Sequence, residues 1–526
     1  MILNQVIGLL AIGLAPLAVS VESFPITGVP VEDGTAVPAR KNINDLYSQG
    51  IHGLPYIEWN GGGELQTTAG WRGYCPHGEN LFLPWHRAYI LAFEQVLVEE
   101  AKYIAATYPP KYRVQYMEAA EQLRSPYWDW SANSNIPPCT VPMEAVVNVP
   151  DGPNLKNITI DNPLHSFRYP EKARNGEFGE FPDLSTTERC PSPYEYPESA
   201  NRRLAQWKLK QDTYDIFTYS ANFEEFANTH ENATTLEQMH NAIHWDAGCA
   251  GQFLKAELSA FDPLLLLTNS NRSMLHHTHV DRLWAYWQFA NEDHTTFTNH
   301  YYGESRYSTR RYTLIKPSSP LEPFYDGLLA YWTPNKISSI RGLGYTYEPL
   351  HYWNTSVAQL EANTAHFINT MYSDSAQQQK RRAPAEAKPR YFARLELDRA
   401  QVERPCAVRV FINGTAAGKL VVMQLPETGI LRGIVAVDQE MQAAFAATSP
   451  SNGLVSSVEP LIEMDIMKPN GAIIPLSKVP SLKLTLEEVS VTPAESDIEF
   501  PTPGERKTHA VGLRDRHGDD HPRRVL

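Results

Sequence analysis

Past its first twenty residues, this 526-residue chain has no apolar run long enough to cross a bilayer, so a bundle of membrane-spanning helices is excluded. Basic residues are in deficit. The 46 Lys and Arg face 60 Asp and Glu, a formal charge of −14 that argues against a nucleic-acid partner. Cysteine is scarce too: Cys75, Cys139, Cys190, Cys249 and Cys406 are too few for a disulfide framework. An odd count leaves at least one of them free or otherwise bonded, and Cys75 is the candidate. No internal repeat of fixed period occurs, so a solenoid or propeller is not expected. What the chain does have is 42% hydrophobic and 11% aromatic residues, enough for substantial cores, and 40 prolines that favour fixed turns.

The apolar run Val6 to Val19, followed by Ala18 and Ser20 where a signal peptidase reads, makes residues 1–20 an expected signal peptide. The run is shorter than a bilayer span and is interrupted by Gly13 and Pro16, so no membrane anchor is expected after its removal. Asn-x-Ser/Thr sequons at Asn157, Asn232, Asn271, Asn354 and Asn413 agree with a secreted glycoprotein. Histidine and tryptophan concentrate between Ile51 and Trp353, whereas 390–490 lacks histidine and alternates apolar with polar residues. Two domains of different class follow. The expected division is a mainly α domain over 21–375, a basic linker over 376–389 with Lys380, Arg381 and Arg382, and a small antiparallel β-sandwich over 390–500. A charge-dense tail over 501–526 is expected to be disordered.

In the first domain, "WHRAYILAFEQVLVEEAKYI" spaces Ile90, Phe93, Leu97, Ala101 and Ile104 three and four apart, the signature of one apolar helix face, with Pro84 near its start. "TTLEQMHNAIHWD" and "SMLHHTHVDRLWAYWQFA" read as two more helices. His240 and His244, four apart, project from one helical face and can share a metal ion. Alone this spacing is weak, since 17 histidines in a chain of this length give roughly half such a pair by chance. A zinc peptidase is excluded because Asn241 stands where the catalytic Glu of HExxH would be. His52, His77 and His86 lie earlier, and His276, His277 and His279 later, so six suitably spread imidazoles would make two three-histidine sites. Neutral imidazole suits copper in both oxidation states, and a paired centre with open positions can take up O2.

The motifs "FLPWHRAY", "LEQMHNAIH" and "HHTHVDRLW" resemble those of the tyrosinase and polyphenol oxidase family of type 3 dicopper proteins, in its fungal secreted branch. The resemblance runs from about Pro38 to Tyr352. It implies a helical-bundle dicopper domain followed by a β-sandwich cap, with two copper ions and O2 as co-substrate. It further implies that His52, His77 and His86 hold one copper and His240, His244 and His277 the other, with His276 beside the ligands and His279 in a scaffold role. Cys75 stands where fungal members join cysteine to the imidazole of His77 through a thioether, and Phe82 where a ring packs beside the ligands. Glu237 and Asn241 match residues that hold a water able to deprotonate a phenol. Asp281 and Arg282 read as scaffold. The segment "LLLLTNSNRS", Leu264 to Ser273, looks inserted relative to the family and puts Ser273 where an aromatic usually supports the last ligand. The gate residue of relatives maps near Ala256. In the cap, "PETGILRG" offers Ile430 or Leu431 as a plug for the copper mouth.

The activity implied is oxidation of monophenols or o-diphenols to o-quinones, by a latent precursor acting on a small phenolic substrate. The alternatives are an oxidase restricted to diphenols or o-aminophenols and an O2 carrier of the haemocyanin kind. Quinone formation separates carrier from enzyme.

Overall fold

The computed structural model describes residues 25–29, 54, 56, 58–66, 70–169, 171–176, 185–190, 196–231, 233–264, 275–327, 330–373, 387–448 and 453–517. The expected signal peptide, His52, the inserted Leu265–Ser273, Lys380–Arg382 of the linker, and the sequons at Asn232 and Asn271 lie outside the described residues. Among the described residues no helix is long and apolar enough to cross a membrane.

Five helices frame the first domain: α1 (Phe82–Ala106), α2 (Leu209–Tyr219), α3 (Leu236–Gly248), α4 (Leu275–Ala290) and α5 (Val357–Tyr372). Pro84 falls in the first turn of α1, where its missing N–H interrupts no helical hydrogen bond. From Phe82 to Gln95 this helix is buried on every side, so it is the central element, and only its far end surfaces. Ile104, expected on the buried face, is exposed there. Helix α3 starts where the Thr235 side chain accepts a hydrogen bond from the Gln238 N–H, and a disulfide from Cys190 to Cys249 ties down its end. Cys75, Cys139 and Cys406 take part in no disulfide, so the only disulfide among the described residues is this one.

Helices α1 and α4 cross where buried Arg87 donates to Asp281 at 2.5 Å. The other carboxylate oxygen of Asp281 accepts from Tyr345 and Tyr347 at 2.8 and 2.7 Å. Arg282 pairs with Asp129 at 3.0 Å. Two antiparallel pairs decorate this domain, β1 (Glu144–Asp151) with β2 (Asn154–Asp161) and β3 (Tyr301–Tyr302) with β4 (Leu314–Ile315).

The second domain is a sandwich of two antiparallel sheets. Its strands are β5 (Lys388–Asp398), β6 (Cys406–Ile412), β7 (Thr415–Val422), β8 (Ile430–Ala436), β9 (Ile462–Met467), β10 (Ile473–Ile474), β11 (Lys483–Thr492) and β12 (Thr502–Ala510). The sheet orders are β10-β9-β6-β7 and β12-β11-β5-β8. Alternate residues such as Leu395, Leu397, Val408, Val410, Leu420 and Leu484 fill the space between the sheets, as a period of two requires. Asn413 and Gly414, with φ of +48° and +76°, make the tight turn joining β6 to β7.

Two expectations are corrected here. Residues 501–526 are not a disordered tail as far as Asp515, because β12 pairs along β11 and its Arg506 and His509 face Glu487 and Glu488 at 3.5 and 3.4 Å. Backbone pairing and cross-strand charges hold this edge strand despite its few apolar residues. Leu431 is not a plug either. It lies opposite Leu397 in the register of β8 and is buried in the sandwich core. Leu425, in the loop before β8, packs against the core of the helical domain.

The sandwich docks on the helical domain through polar pairs. Arg390 bridges Asp215 and Asp438 at 3.0 and 2.9 Å, and Lys419 meets Asp246 on α3. The Gln238 side chain, also on α3, donates to the Ile434 carbonyl at 2.9 Å and accepts from its N–H at 3.2 Å.

Candidate metal centre

Three helices and one loop converge on a buried cluster of imidazoles. The loop before α1 carries Cys75 and His77, α1 carries His86, α3 carries His240 and His244, and α4 carries His276 and His277. Burial holds His86 at a pKa of about 3 and His244 at about 4, and pushes His240, His276 and His277 well below the ordinary imidazole range. All five are therefore neutral, each with one N–H and one lone pair.

The tautomers follow from the partners. His86 Nδ1 lies 2.6 Å from the Phe82 carbonyl oxygen, His244 Nδ1 is 2.7 Å from the Phe253 carbonyl oxygen, and His240 Nδ1 is 2.9 Å from Asn241 Oδ1. Each of those oxygens only accepts, so Nδ1 donates in each case and the lone pair is left on Nε2. The Nε2 atoms of His240 and His244 face each other at 3.1 Å, and His277 Nε2 lies 3.2 Å from that of His240. Lone pairs facing each other repel unless a cation lies among them. Nitrogens bound to one ion at about 2 Å sit about 3 Å apart, so the donor set fits a metal.

Two groups have ligand atoms close enough to hold an ion, Cys75 with His77 and His86, and His240 with His244 and His276. The second group thus contains His276, whereas the resemblance implied His277. His277 lies between the groups, its ring stacked on that of His86 at 4.5 Å and 3°. Phe82 packs edge-on to His86 and His240 with centroids at 4.7 and 4.9 Å. Cys75 Sγ is 3.5 Å from His77 Nδ1, 3.7 Å from its Nε2 and 3.2 Å from His86 Nε2. His279 is apart from the cluster, against Ser131 and Asp129 at 3.0 and 3.4 Å.

Glu237 fastens the loop bearing His77 to α3. Its Oε1 accepts from the Gly78 N–H at 2.6 Å, and its Oε2 accepts from the Thr229 N–H and hydroxyl at 3.0 and 3.1 Å. Burial raises its pKa and these donors lower it. Gly78 has φ +68°, and a Cβ there would meet Pro426 and Arg399 of the sandwich at 3.1 and 3.2 Å. The sandwich therefore rests directly on this loop. A cavity of about 410 Å³ opens beside it, lined by Cys75, His77, Glu79 and Arg306 on one side and Leu425 to Thr428 on the other. Ala256 is buried.

Sequence reasoning missed Phe253, whose ring stacks on His244 at 4.5 Å and whose carbonyl orients it. Trp130, which donates to His276, and Thr229 were missed as well. Only the aromatic density of Tyr127 to Trp130 hinted at any of these.

Residues 46–290 match the family model described as the common central domain of tyrosinase. Within these residues the chain carries a domain similar to the central domain of the tyrosinase family. A tyrosinase of Podospora anserina is 32% identical over 372 residues, covering 63% of this chain and 61% of that protein. Polyphenol oxidase 2 of Agaricus bisporus is 31% identical over 316 residues, covering 57% and 53%. The chain thus spans between half and two thirds of these curated relatives. A crystal structure of latent and active mushroom tyrosinase superposes with a TM-score of 0.74 at 19% identity, covering 94% of this chain and 100% of that one, a likeness of fold. Tyrosinases bind two copper ions, and the histidine clusters fit such a pair.

Proposed function

We propose that this chain is a copper-dependent phenol oxidase that converts monophenols, o-diphenols or both to o-quinones with O2. The observation that carries the reading is the convergence of the Nε2 atoms of His240, His244 and His277, with the rings of His240 and His244 each held by an acceptor at Nδ1. By the family's motif, His52, His77 and His86 would hold one copper and His240, His244 and His277 the other. When bound, the copper pair supplies the two-electron redox chemistry: two o-diphenols are oxidised and one O2 is reduced to two waters. The protein's own residues do the rest. Phe82 and Phe253 fix the rings of His86 and His244, and Asn241 orients His240. Glu237 has acceptor capacity beyond its three donors, and with Asn241 would receive the phenol proton through a held water.

A thioether between Cys75 and His77 belongs to the same proposal. The sulfur is nearly equidistant from both ring nitrogens, so it lies near the plane through Cε1, the carbon bonded to both. Peptide mass spectrometry of the copper-loaded protein should show the loss of two hydrogens; an alkylatable Cys75 in active protein would refute the bond. Secretion is supported by the Cys190–Cys249 disulfide and by exposed sequons at Asn157, Asn354 and Asn413. Latency is supported by Leu425 to Thr428 over the cavity beside Cys75 and His77.

The test is copper quantitation combined with quinone formation from tyrosine and from catechol. Two coppers per chain and quinone from at least one substrate are expected. One zinc without copper, or O2 uptake that reverses without quinone, would overturn the reading.

A further inference from the structure

Two consecutive histidines compete for the third position of the second metal site. Both His276 and His277 are fully buried at the start of α4. Their rings are equally near His240, with centroids at 4.9 and 5.1 Å, and His276 is nearer to His244, at 5.0 against 6.0 Å. Ring position alone therefore favours His276, and the three imidazoles whose ligand atoms all lie within 4.8 Å of one another are those of His240, His244 and His276.

One hydrogen bond reverses that preference. The Trp130 indole Nε1 donates to His276 Nδ1 at 3.1 Å. An indole nitrogen has a proton and no available lone pair, so it only donates, and His276 Nδ1 must accept. A neutral imidazole whose Nδ1 accepts carries its proton on Nε2. The lone pair on Nδ1 is then occupied by Trp130 and Nε2 has none to give, whichever nitrogen faces the site. The Nε2 of His277 stands 3.2 Å from that of His240.

Trp130 is well held for this task. It is fully buried and packs edge-on to His279 at 4.6 Å. Its loop is fastened to the start of α4 by a hydrogen bond from the Trp128 N–H to the Leu275 carbonyl at 3.0 Å, and to the middle of α4 by the Asp129–Arg282 pair. The donor and the two competing histidines therefore move as one unit.

We propose that Trp130 is a positioning residue that selects the metal ligand: its indole N–H removes His276 from coordination and leaves the second site to His277. The inference rests on the dicopper reading for its consequence, and on the Trp130–His276 geometry for its substance.

Histidine-selective ¹⁵N labelling of metal-free protein reads the tautomer directly, with the His276 signals assigned by their loss in His276→Gln. The expected result is an Nε2–H tautomer at His276 that is unchanged in the Cu(I)-loaded protein, while the His277 signals shift. An Nδ1–H tautomer, or metal-induced shifts at His276, overturns the proposal. Copper stoichiometry gives a second arm. His277→Ala should bind one copper per chain, and Trp130→Phe/His277→Ala should regain the second through the freed His276. Two coppers in His277→Ala alone, or one in the folded double variant, would count against selection by Trp130. A wild-type protein that takes up no copper sinks the dicopper reading, and the metal-free tautomer still decides this one.

Discussion

At the scale of single residues, the site is built from acceptors placed behind His86, His240 and His244, and two of the three are backbone carbonyls. The spacing of His240 and His244 could be read in the sequence because a helix puts positions four apart on one face. The carbonyls of Phe82 and Phe253 could not, since every residue has one and only the fold decides which is aimed at a ring. Glu237 illustrates the same limit. Its match to a proton-handling position was visible, but its bonds to Gly78 and Thr229 belong to loops 159 and 8 residues away. Glu237→Gln would turn one acceptor oxygen into an N–H donor facing N–H and O–H donors, a loss of about 1–3 kcal/mol. The expected outcome is a lower denaturant midpoint, with hydroxylation of a monophenol falling further than oxidation of a diphenol. An unchanged midpoint would deny the fastening role, and equal losses of both activities would leave only that role.

Between elements, the Arg87–Asp281 pair matters most, because it joins the residue next to His86 to the residue one turn beyond His277. The carboxylate also accepts from Tyr345 and Tyr347, and the pair is buried. Asp281→Asn leaves the Arg87 charge uncompensated, and breaking such a pair costs about 3–5 kcal/mol. We expect a large drop in melting temperature and reduced copper uptake, measured by calorimetry and metal analysis. A variant that loads copper normally would mean that packing alone sets the crossing of α1 and α4. The helices themselves were readable from apolar spacing, and the strands of the sandwich from alternation. Strand β12 escaped that reading because an edge strand needs no apolar face: its partner supplies the hydrogen bonds and the opposite charges. The burial of Leu431 was likewise decided by where β8 begins, and a shift of one residue would have turned that side chain outwards.

For the whole molecule, the division into a helical and a β domain followed from composition, but the contact between them did not, since pairs such as Gln238 with Ile434 are 196 residues apart. If the cap is inhibitory, cutting the linker at Arg382 should not by itself free it, because the Asp215 and Asp246 pairs are buried and poorly screened by salt. The expected outcome is that cut protein stays associated when concentrated and gains o-diphenol oxidase activity on dilution, as the tether's effective concentration is lost. Leu425→Ala in uncut protein should also raise activity. If dilution and that substitution are both silent, the cap does not obstruct substrate. Whichever way that falls, the docking geometry has another consequence. The sandwich grips α3 at Gln238 and Asp246, on either side of His240 and His244, so the helix that would supply two metal ligands is also the one that the cap braces. Affinity for the cap and affinity for copper at that site are then thermodynamically linked, and each must strengthen the other by the same factor. A chelator should strip copper faster from protein freed of its cap, and metal-free protein should release the cap more readily, so the capped chain would be the form best able to keep its metal.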